Sequence, residues 1–362
     1  MGLPIIETEG SPFEIGFQHG RQAAAAIRTN IAYYLNLWNR FGGVEKDRVL
    51  ADAQVFLPHI ERFDAELSAE LKGVAKGADL QFEAVLALNA RWELNYAYLF
   101  RPTADAGCTA MGVMPEITGD RHLYIGQNWD YKPGLANGCI ILRIRQADKP
   151  DIIMHTEAGI IGHKGFNSSG IGICMNYIRC DQDGFRPGVP VWLKVRRLLN
   201  SRRMSECLGI LMNTAGPNSA NMLIGHRDGE IIDAECVPRD VYFIYPRKGI
   251  LTHSNHFTAR RFQAKDSGKS LLPDTVIRNE RARRLLRQNS GRLNLAALQS
   301  VLKDHFSYPD SICRHRDDAL DAFAQWETLT SLVIDLTAGR MHYTAGPPCC
   351  TAYQTITLAE SE

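Results

Sequence analysis

Apolar positions recur at helical spacing through the first hundred residues, and the chain then switches to short alternating runs. Residues 11–41 open with Ser11-Pro12-Phe13-Glu14, where Ser11 suits an N-cap, Pro12 the first helical position and Glu14 the reciprocal capping position. The pattern continues through Ala23–Ala26 and Ile31–Trp38. Residues 45–73 and 81–100 predict two further helices, so about three helices precede position 101, where Pro102 and small residues interrupt the pattern. Strands are expected at Thr109–Met114, Leu123–Asp130, Cys139–Arg145, Ile152–Glu157 and Ile171–Tyr177, with turns at Thr118-Gly119-Asp120 and Asn167-Ser168-Ser169-Gly170. Two helices (Pro190–Asn200, Ser205–Asn213) follow. Then comes a hairpin of Ala220–His226 and Ile231–Cys236 about Asp228-Gly229, with residues 239–257 continuing in strands. Helices at Val276–Gln288 and Leu293–His305 precede a closing hairpin (Thr330–Leu336, Met341–Thr344) and a last strand, Thr351–Thr357. Strands clustered in the middle and at the end, with helix pairs between, exclude the regular alternation of a doubly wound sheet or a β/α barrel. An α+β fold of antiparallel sheets with helices on their outer faces fits better.

The length of 362 residues allows two domains or one large unit. Lys plus Arg (41) balances Asp plus Glu (40), which argues against nucleic acid as the main partner. The opening Met1-Gly2-Leu3-Pro4 has neither the cationic start of a secretory signal nor a myristoylation pattern, and no apolar run is long enough to span a membrane. Nine cysteines without a CxxC pair, mostly in apolar contexts such as Ile173-Cys174-Met175, suggest a reducing, cytoplasmic setting with buried thiols. The arginine run 278, 281, 283, 284, 287 reads as a solvated helix face, with a patch for an anionic substrate as the alternative.

The stretch Asp105-Ala106-Gly107-Cys108-Thr109 carries the most specific chemistry. A thiol directly after a glycine can attack the preceding carbonyl, turning the amide into a thioester that water cleaves. Gly107 has no Cβ and tolerates the backbone distortion. Cys108 would then carry a free α-amine able to act as base for its own thiol. The plain alternative is a buried cysteine in a turn. Three other stretches offer partners. Asn128-Trp129-Asp130-Tyr131 lies on the next strand, and the turn at 118–121 would return Asp130 or Asn128 towards the start of the cysteine strand. Thr252-His253-Ser254-Asn255-His256 offers an asparagine amide as oxyanion donor. Its His-x-x-His pair lacks the glutamate and third ligand of a zinc signature, so no metal and no cofactor are expected. His305–His315 is a polar, aromatic loop in which Arg314 can bind a carboxylate.

In this order these motifs, with Gly10–Gly20, Leu88–Glu93 and Gly346-Pro347-Pro348-Cys349, resemble the acyl-coenzyme A:6-aminopenicillanic acid acyltransferase family, the isopenicillin N acyltransferase-like enzymes of peptidase family C45. The resemblance spans nearly the whole chain. Trp92 departs from it, standing between Arg91 and Glu93 where a small polar residue is usual. The resemblance implies a four-layer αββα sandwich, the N-terminal nucleophile hydrolase fold. It also implies autoproteolysis between Gly107 and Cys108 into a helical proregion or α chain (1–107) and a β chain (108–362), which form one structural domain after processing. By that resemblance Cys108 is the nucleophile, Asp130 acts near it and in processing, and Asn255 lines the oxyanion hole with a backbone N–H that the sequence does not locate. Ser311 and Arg314 fall in the substrate-contacting segment, at a spacing that differs from the founding enzyme's. The expected substrate is a small N-acyl compound whose linear amide is hydrolysed. Acyl transfer from acyl-coenzyme A or an amide to an amine is the alternative. No nucleic acid or membrane partner is expected; the expected assembly is an αβ pair from one chain, which a higher homo-oligomer could extend. Two other readings stand beside these: a non-catalytic scaffold of the same fold, and a Cys-His enzyme using His253 or His256 as base.

Overall fold

A computed structural model describes residues 2–99, 107–259 and 264–358. The first segment holds β1 (Ile5–Glu9), α1 (Pro12–Gln22), α2 (Ala24–Gly42), α3 (Lys46–Ala53), α4 (Leu57–Phe63), α5 (Ala65–Ala78), α6 (Phe82–Asn89) and α7 (Arg91–Tyr98). The second holds β2 (Gly107–Val113), β3 (Tyr124–Tyr131), β4 (Cys139–Arg145), β5 (Ile152–Glu157), β6 (Gly165–Asn167), β7 (Ile171–Asn176), α8 (Val191–Leu199), α9 (Met204–Asn213), β8 (Ala220–His226), β9 (Glu230–Val237), β10 (Asp240–Ile244) and β11 (Ile250–His253). The last holds α10 (Gly268–Leu271), α11 (Asp274–Gln288), α12 (Leu295–Leu302), β12 (Glu327–Asp335), β13 (Arg340–Tyr343) and β14 (Gln354–Thr357).

The helical first third is there, but in seven pieces rather than about three. Ser11 caps α1 and closes a capping box with Glu14, as its spacing predicts. The chain then bends at Ala23 (φ −107°, ψ 15°) and at Ala90 (φ −103°, ψ 15°), and at Asp64 an extended residue caps α5 through its side chain. The two alanines favour helix, so tertiary packing imposes these breaks over local preference.

The strands form two sheets, in the orders β1-β4-β5-β6-β7-β8-β9-β10 and β11-β2-β3-β12-β13-β14. All pairings are antiparallel except β1 with β4, a strand the hydrophobic pattern did not predict. The sheets pack face to face through β2, β3, β7 and β8. The approach is close: a Cβ on Gly172 would sit 2.6 Å from Leu336 and 2.9 Å from Ile125 of the opposite sheet. Helices α8 and α9 cover the outer face of the larger sheet, while α11 and α12 cover β11, β2, β3 and β12. The expected αββα layering is therefore what the chain adopts.

The first third is tied into this sandwich rather than appended to it. Asn30 Nδ2 donates to the carbonyls of Gly138 (3.1 Å) and Ala158 (3.0 Å). Buried Arg91 pairs with buried Glu157, which also accepts from Tyr34 Oη at 2.6 Å.

Candidate active site

Strand alternation sorts the candidate residues onto two faces. Cys108 and Ala110 of β2 look into the core between the sheets, whereas Met111 and Val113 pack under α11 and α12. The register pairs Gly107 with Asp130, Cys108 with Trp129 and Thr109 with Asn128. The hairpin about residues 118–121 thus brings Asp130 to the head of the cysteine strand, as expected. It also sets the carboxylate beside the Gly107–Cys108 peptide, on the helix-facing side.

On the other edge, β11 pairs with β2 so that His253 lies opposite Ala110. Continuing that register sets Asn255 opposite Cys108, just beyond the end of the strand. There a side chain takes over from the ladder: the Cys108 N–H donates to Asn255 Oδ1 at 2.9 Å. Asn255 Nδ2 donates to the Tyr177 carbonyl at 2.9 Å, which leaves its second hydrogen for another acceptor. Trp92 packs against the ring of Tyr177, so the departure at position 92 lies one side chain from this amide.

Arg278 was expected on a solvated face and is buried instead. It lies on the inward stripe of α11 with Thr275, Ala282 and Leu286. Its Nη1 donates to the Cys108 carbonyl (2.6 Å) and to Thr109 Oγ1 (2.9 Å), Nη2 to Asn255 Oδ1 (2.8 Å), and Nε to Asp274 Oδ2 (2.6 Å). Arg284 and Arg287 of the same run are exposed, as that reading had it.

Asp130 is fully buried. Its Oδ1 accepts from Thr328 Oγ1 at 2.7 Å, while Oδ2 has no hydrogen-bond partner among the described residues and lies 3.6 Å from Arg314 Nε. Burial pushes the carboxyl up to about 6 against the pull of Arg314, Arg278 and the Thr328 hydroxyl. A Cβ on Gly107 would stand 3.0 Å from Asp130 Oδ2 and 3.2 Å from Arg314 Nε, so a larger residue here would have to displace these buried side chains by a few tenths of an ångström. Arg314 joins the site; its Nη1 and Nη2 bind Asp310 and Asp274. Ser311 is buried, and its hydroxyl is turned to the Cys313 carbonyl of its own loop.

The Cys108 thiol is 2% exposed. Burial, reinforced by Asp130, pushes it up to about 11, with Lys164, Arg278 and a hydrogen bond from Gln127 pulling the other way. Lys164 belongs to no motif the sequence offered. It is buried, its Nζ lies 2.8 Å from His163 Nδ1 and 4.3 Å from the centre of the Trp129 ring, and burial pulls it down to about 7. Both nitrogens of His253 are engaged, Nδ1 with the Ser254 carbonyl and Nε2 with Glu235 at 2.8 Å. His256 Nδ1 faces Ser254 Oγ and Thr275 Oγ1, and burial holds this imidazole down near about 3. These contacts disfavour either histidine as a base for Cys108.

A cysteine at the head of an inner strand in an αββα sandwich is the architecture of the N-terminal nucleophile hydrolases. The chain belongs to the acyl-coenzyme A:6-aminopenicillanic acid acyl-transferase family, whose profile matches residues 117–349, more than half of its length. It is 29% identical over 336 residues to the acyl-coenzyme A:6-aminopenicillanic-acid-acyltransferase 40 kDa form of Emericella nidulans, covering 91% of this chain and 89% of that one. Among solved structures it is similar to a mutant conjugated bile acid hydrolase from Clostridium perfringens (TM-score 0.46, 15% identity, 70% of this chain and 99% of that one). It is also similar to penicillin V acylase from Agrobacterium tumefaciens (TM-score 0.44, 12% identity, 66% and 83%). No described helix is long and apolar enough to cross a membrane.

Proposed function

We propose that the chain is a self-processing cysteine hydrolase that cleaves the linear amide of a small N-acyl compound through a thioester on Cys108. The observation that carries this reading is the convergence of three side chains on the backbone at Gly107 and Cys108. Asn255 Oδ1 accepts the Cys108 N–H, Arg278 holds the Cys108 carbonyl, and Asp130 Oδ2, with no hydrogen-bond partner among the described residues, stands beside Gly107 within ion-pair reach of Arg314.

In the processing step the Cys108 sulfur attacks the Gly107 carbonyl carbon. The thiol proton passes to the Cys108 nitrogen as the C–N bond breaks, and water then hydrolyses the thioester to a Gly107 carboxylate and a free thiol. Scission leaves residues 1–107 and 108–362 as an α and a β chain that remain one unit, in keeping with the Asn30 and Arg91 contacts that cross between them. The freed α-amine keeps Asn255 Oδ1 as its acceptor and serves as base for the thiol. Departure of Gly107 from beside Asp130 opens the space in which a substrate carbonyl meets the sulfur. The second hydrogen of Asn255 Nδ2 is the oxyanion donor. Arg314 steadies Asp130, and it reaches a substrate carboxylate by exchanging the exposed Asp310, with Ser311 shaping the same loop. Buried, unpaired thiols at most of the nine positions agree with a reducing, cytoplasmic setting.

Acyl transfer is the second reading, favoured by the name of the Emericella relative. The two readings differ in what takes the acyl group from sulfur.

Intact mass tests the processing. The wild type should yield chains of about 12 and 29 kDa, dividing 40.5 kDa by residue count, with Cys108 as a new N-terminus, while Cys108→Ala stays whole. An active protein in one uncut chain would overturn the mechanism. A screen of N-acyl amino acids and penicillins on processed protein, with and without an added amine, then separates hydrolysis from transfer.

A further inference from the structure

We propose that His305, Cys313, His315 and Cys349 form a structural zinc site that clamps the loop carrying Arg314. No sequence motif announces it, because the ligands come from the loop after α12 and from the segment between β13 and β14. Their ligand atoms all lie within 4.8 Å of one another. His315 Nε2 is the hub: it is 3.1 Å from His305 Nε2, 3.6 Å from Cys313 Sγ and 3.4 Å from Cys349 Sγ. Tetrahedral zinc with nitrogen ligands at about 2.0–2.1 Å and sulfur ligands at about 2.3 Å requires ligand–ligand separations of roughly 3.3–3.8 Å. The three observed spacings fall in or next to that range.

The donor set suits the same ion. Two thiols and two imidazoles are the Cys₂His₂ complement of closed zinc sites, and soft sulfur with borderline nitrogen disfavours calcium and magnesium. The surroundings hold the donors in place. The Tyr308 ring lies 5.2 Å from the His315 ring and 6.3 Å from that of His305, while Cys313 N–H donates to the Asp304 carbonyl (3.0 Å) and His315 N–H to that of Pro309 (3.1 Å). Binding would release the protons of both thiols. Four protein ligands leave no open position, so the ion is structural and takes no part in the reaction.

Cys313 and His315 flank Arg314, whose guanidinium faces Asp130 and Asp274. A metal there pins the backbone on both sides of that arginine and ties it to the C-terminal segment. This consequence for Arg314 rests on the proposed function; the binding of zinc does not.

The test measures metal, not activity. Full-length protein purified without chelator should carry one zinc per chain by elemental analysis. Protein stripped with a chelator and reloaded with Co²⁺ should show the visible bands of tetrahedral cobalt and near-ultraviolet thiolate charge transfer. Cys349→Ser and His305→Ala, both at exposed positions, should each weaken zinc retention by about 10-fold or more, while Cys350→Ser should not. Zinc-free protein that cannot be loaded by Zn²⁺ overturns the proposal. So does wild-type zinc retention in both ligand variants, or a Cys313–Cys349 disulfide found in the native chain by non-reducing mass analysis.

Discussion

Arg278 Nη2 donates to Asn255 Oδ1 at 2.8 Å, and this contact decides which end of the Asn255 amide faces Cys108. Two donors, Arg278 and the Cys108 N–H, converge on the same oxygen, so the amide nitrogen must point the other way, to Tyr177 and the space beyond it. A flipped amide would set NH₂ against both donors. Arg278→Met keeps the bulk of the stem and removes the donors. The expected result is a self-cleavage rate lower by about 10–10²-fold, the order of a lost hydrogen bond from a charged group. Arg278→Lys should recover only part of it, because an ammonium cannot serve the Cys108 carbonyl, Thr109, Asn255 and Asp274 in fixed directions. A time course on denaturing gels reads the rate, and an Arg278→Met chain that cuts itself at the wild-type pace would refute the role.

Gly107→Ala tests the tight fit at the Gly107–Cys108 peptide. The added methyl would meet Asp130 Oδ2 at 3.0 Å and Asp130 Cβ at 3.1 Å, both on a buried and braced side chain. Moving Asp130 disturbs Thr328 and Arg314 together, so the fold should lose about 1–3 kcal/mol. Self-cleavage should slow much more than that loss of stability explains. Thermal melting and mass analysis of the same preparation separate the two effects; an alanine variant that processes normally would show that the space is not restrictive.

The parts of this fold that follow from local pattern were legible in the sequence. Cys139–Arg145, Ile152–Glu157 and Ala220–His226 are strands over the same residues that their alternation predicts. Asp130 came within reach of Cys108 through a hairpin whose turn is written in Thr118-Gly119-Asp120. Arg278 was misjudged because an arginine-rich helix looks solvated as a whole, although Thr275, Arg278, Ala282 and Leu286 recur at the spacing of one buried stripe. Lys164 had no such signal, since its burial is created by Trp129 of the opposite sheet. The breaks at Ala23 and Ala90 were equally invisible, being imposed by packing on residues that favour helix.

Asp130 should leave a mark on the pH dependence. Its folded-state pKa of about 6 lies above the ordinary carboxyl value, so between about pH 4 and 6 the folded chain keeps a proton that the unfolded chain has lost. Stability contributed by this group is therefore full below that window and falls as pH rises through it, by about 3 kcal/mol in all. Asp183 and Asp233 are also pushed up to about 6, so the comparison must be made against Asp130→Asn. The wild type minus variant difference in urea-unfolding free energy should decline from pH 4 to pH 7. A difference that stays level across this range would mean that the buried carboxyl titrates elsewhere. Self-cleavage, if it needs ionised Asp130, should rise with an apparent pKa near 6.

Lys164 is the strongest case for a residue kept at a cost in stability. It is buried against Trp129, with His163 as its hydrogen-bond partner, and burial pulls its pKa down to about 7. Between about pH 7 and 10.5 the unfolded chain holds a proton that the folded chain has released, so stability rises with pH through that window, and the cost is greatest below it. Lys164→Met removes the charge and nearly preserves the volume, so the fold should gain on the order of 2–5 kcal/mol near pH 6 and much less near pH 10. The compensating benefit lies at the thiol. Lys164 is the charge that most lowers the Cys108 pKa, opposing burial and Asp130. The methionine variant should therefore be the more stable protein and the less reactive one, with Cys108 alkylated more slowly by iodoacetamide up to about pH 7, where Lys164 is charged, and the difference fading above it. Peptide mapping distinguishes Cys108 from the other eight cysteines. Equal alkylation in both proteins would leave Lys164 without a part in activating the nucleophile.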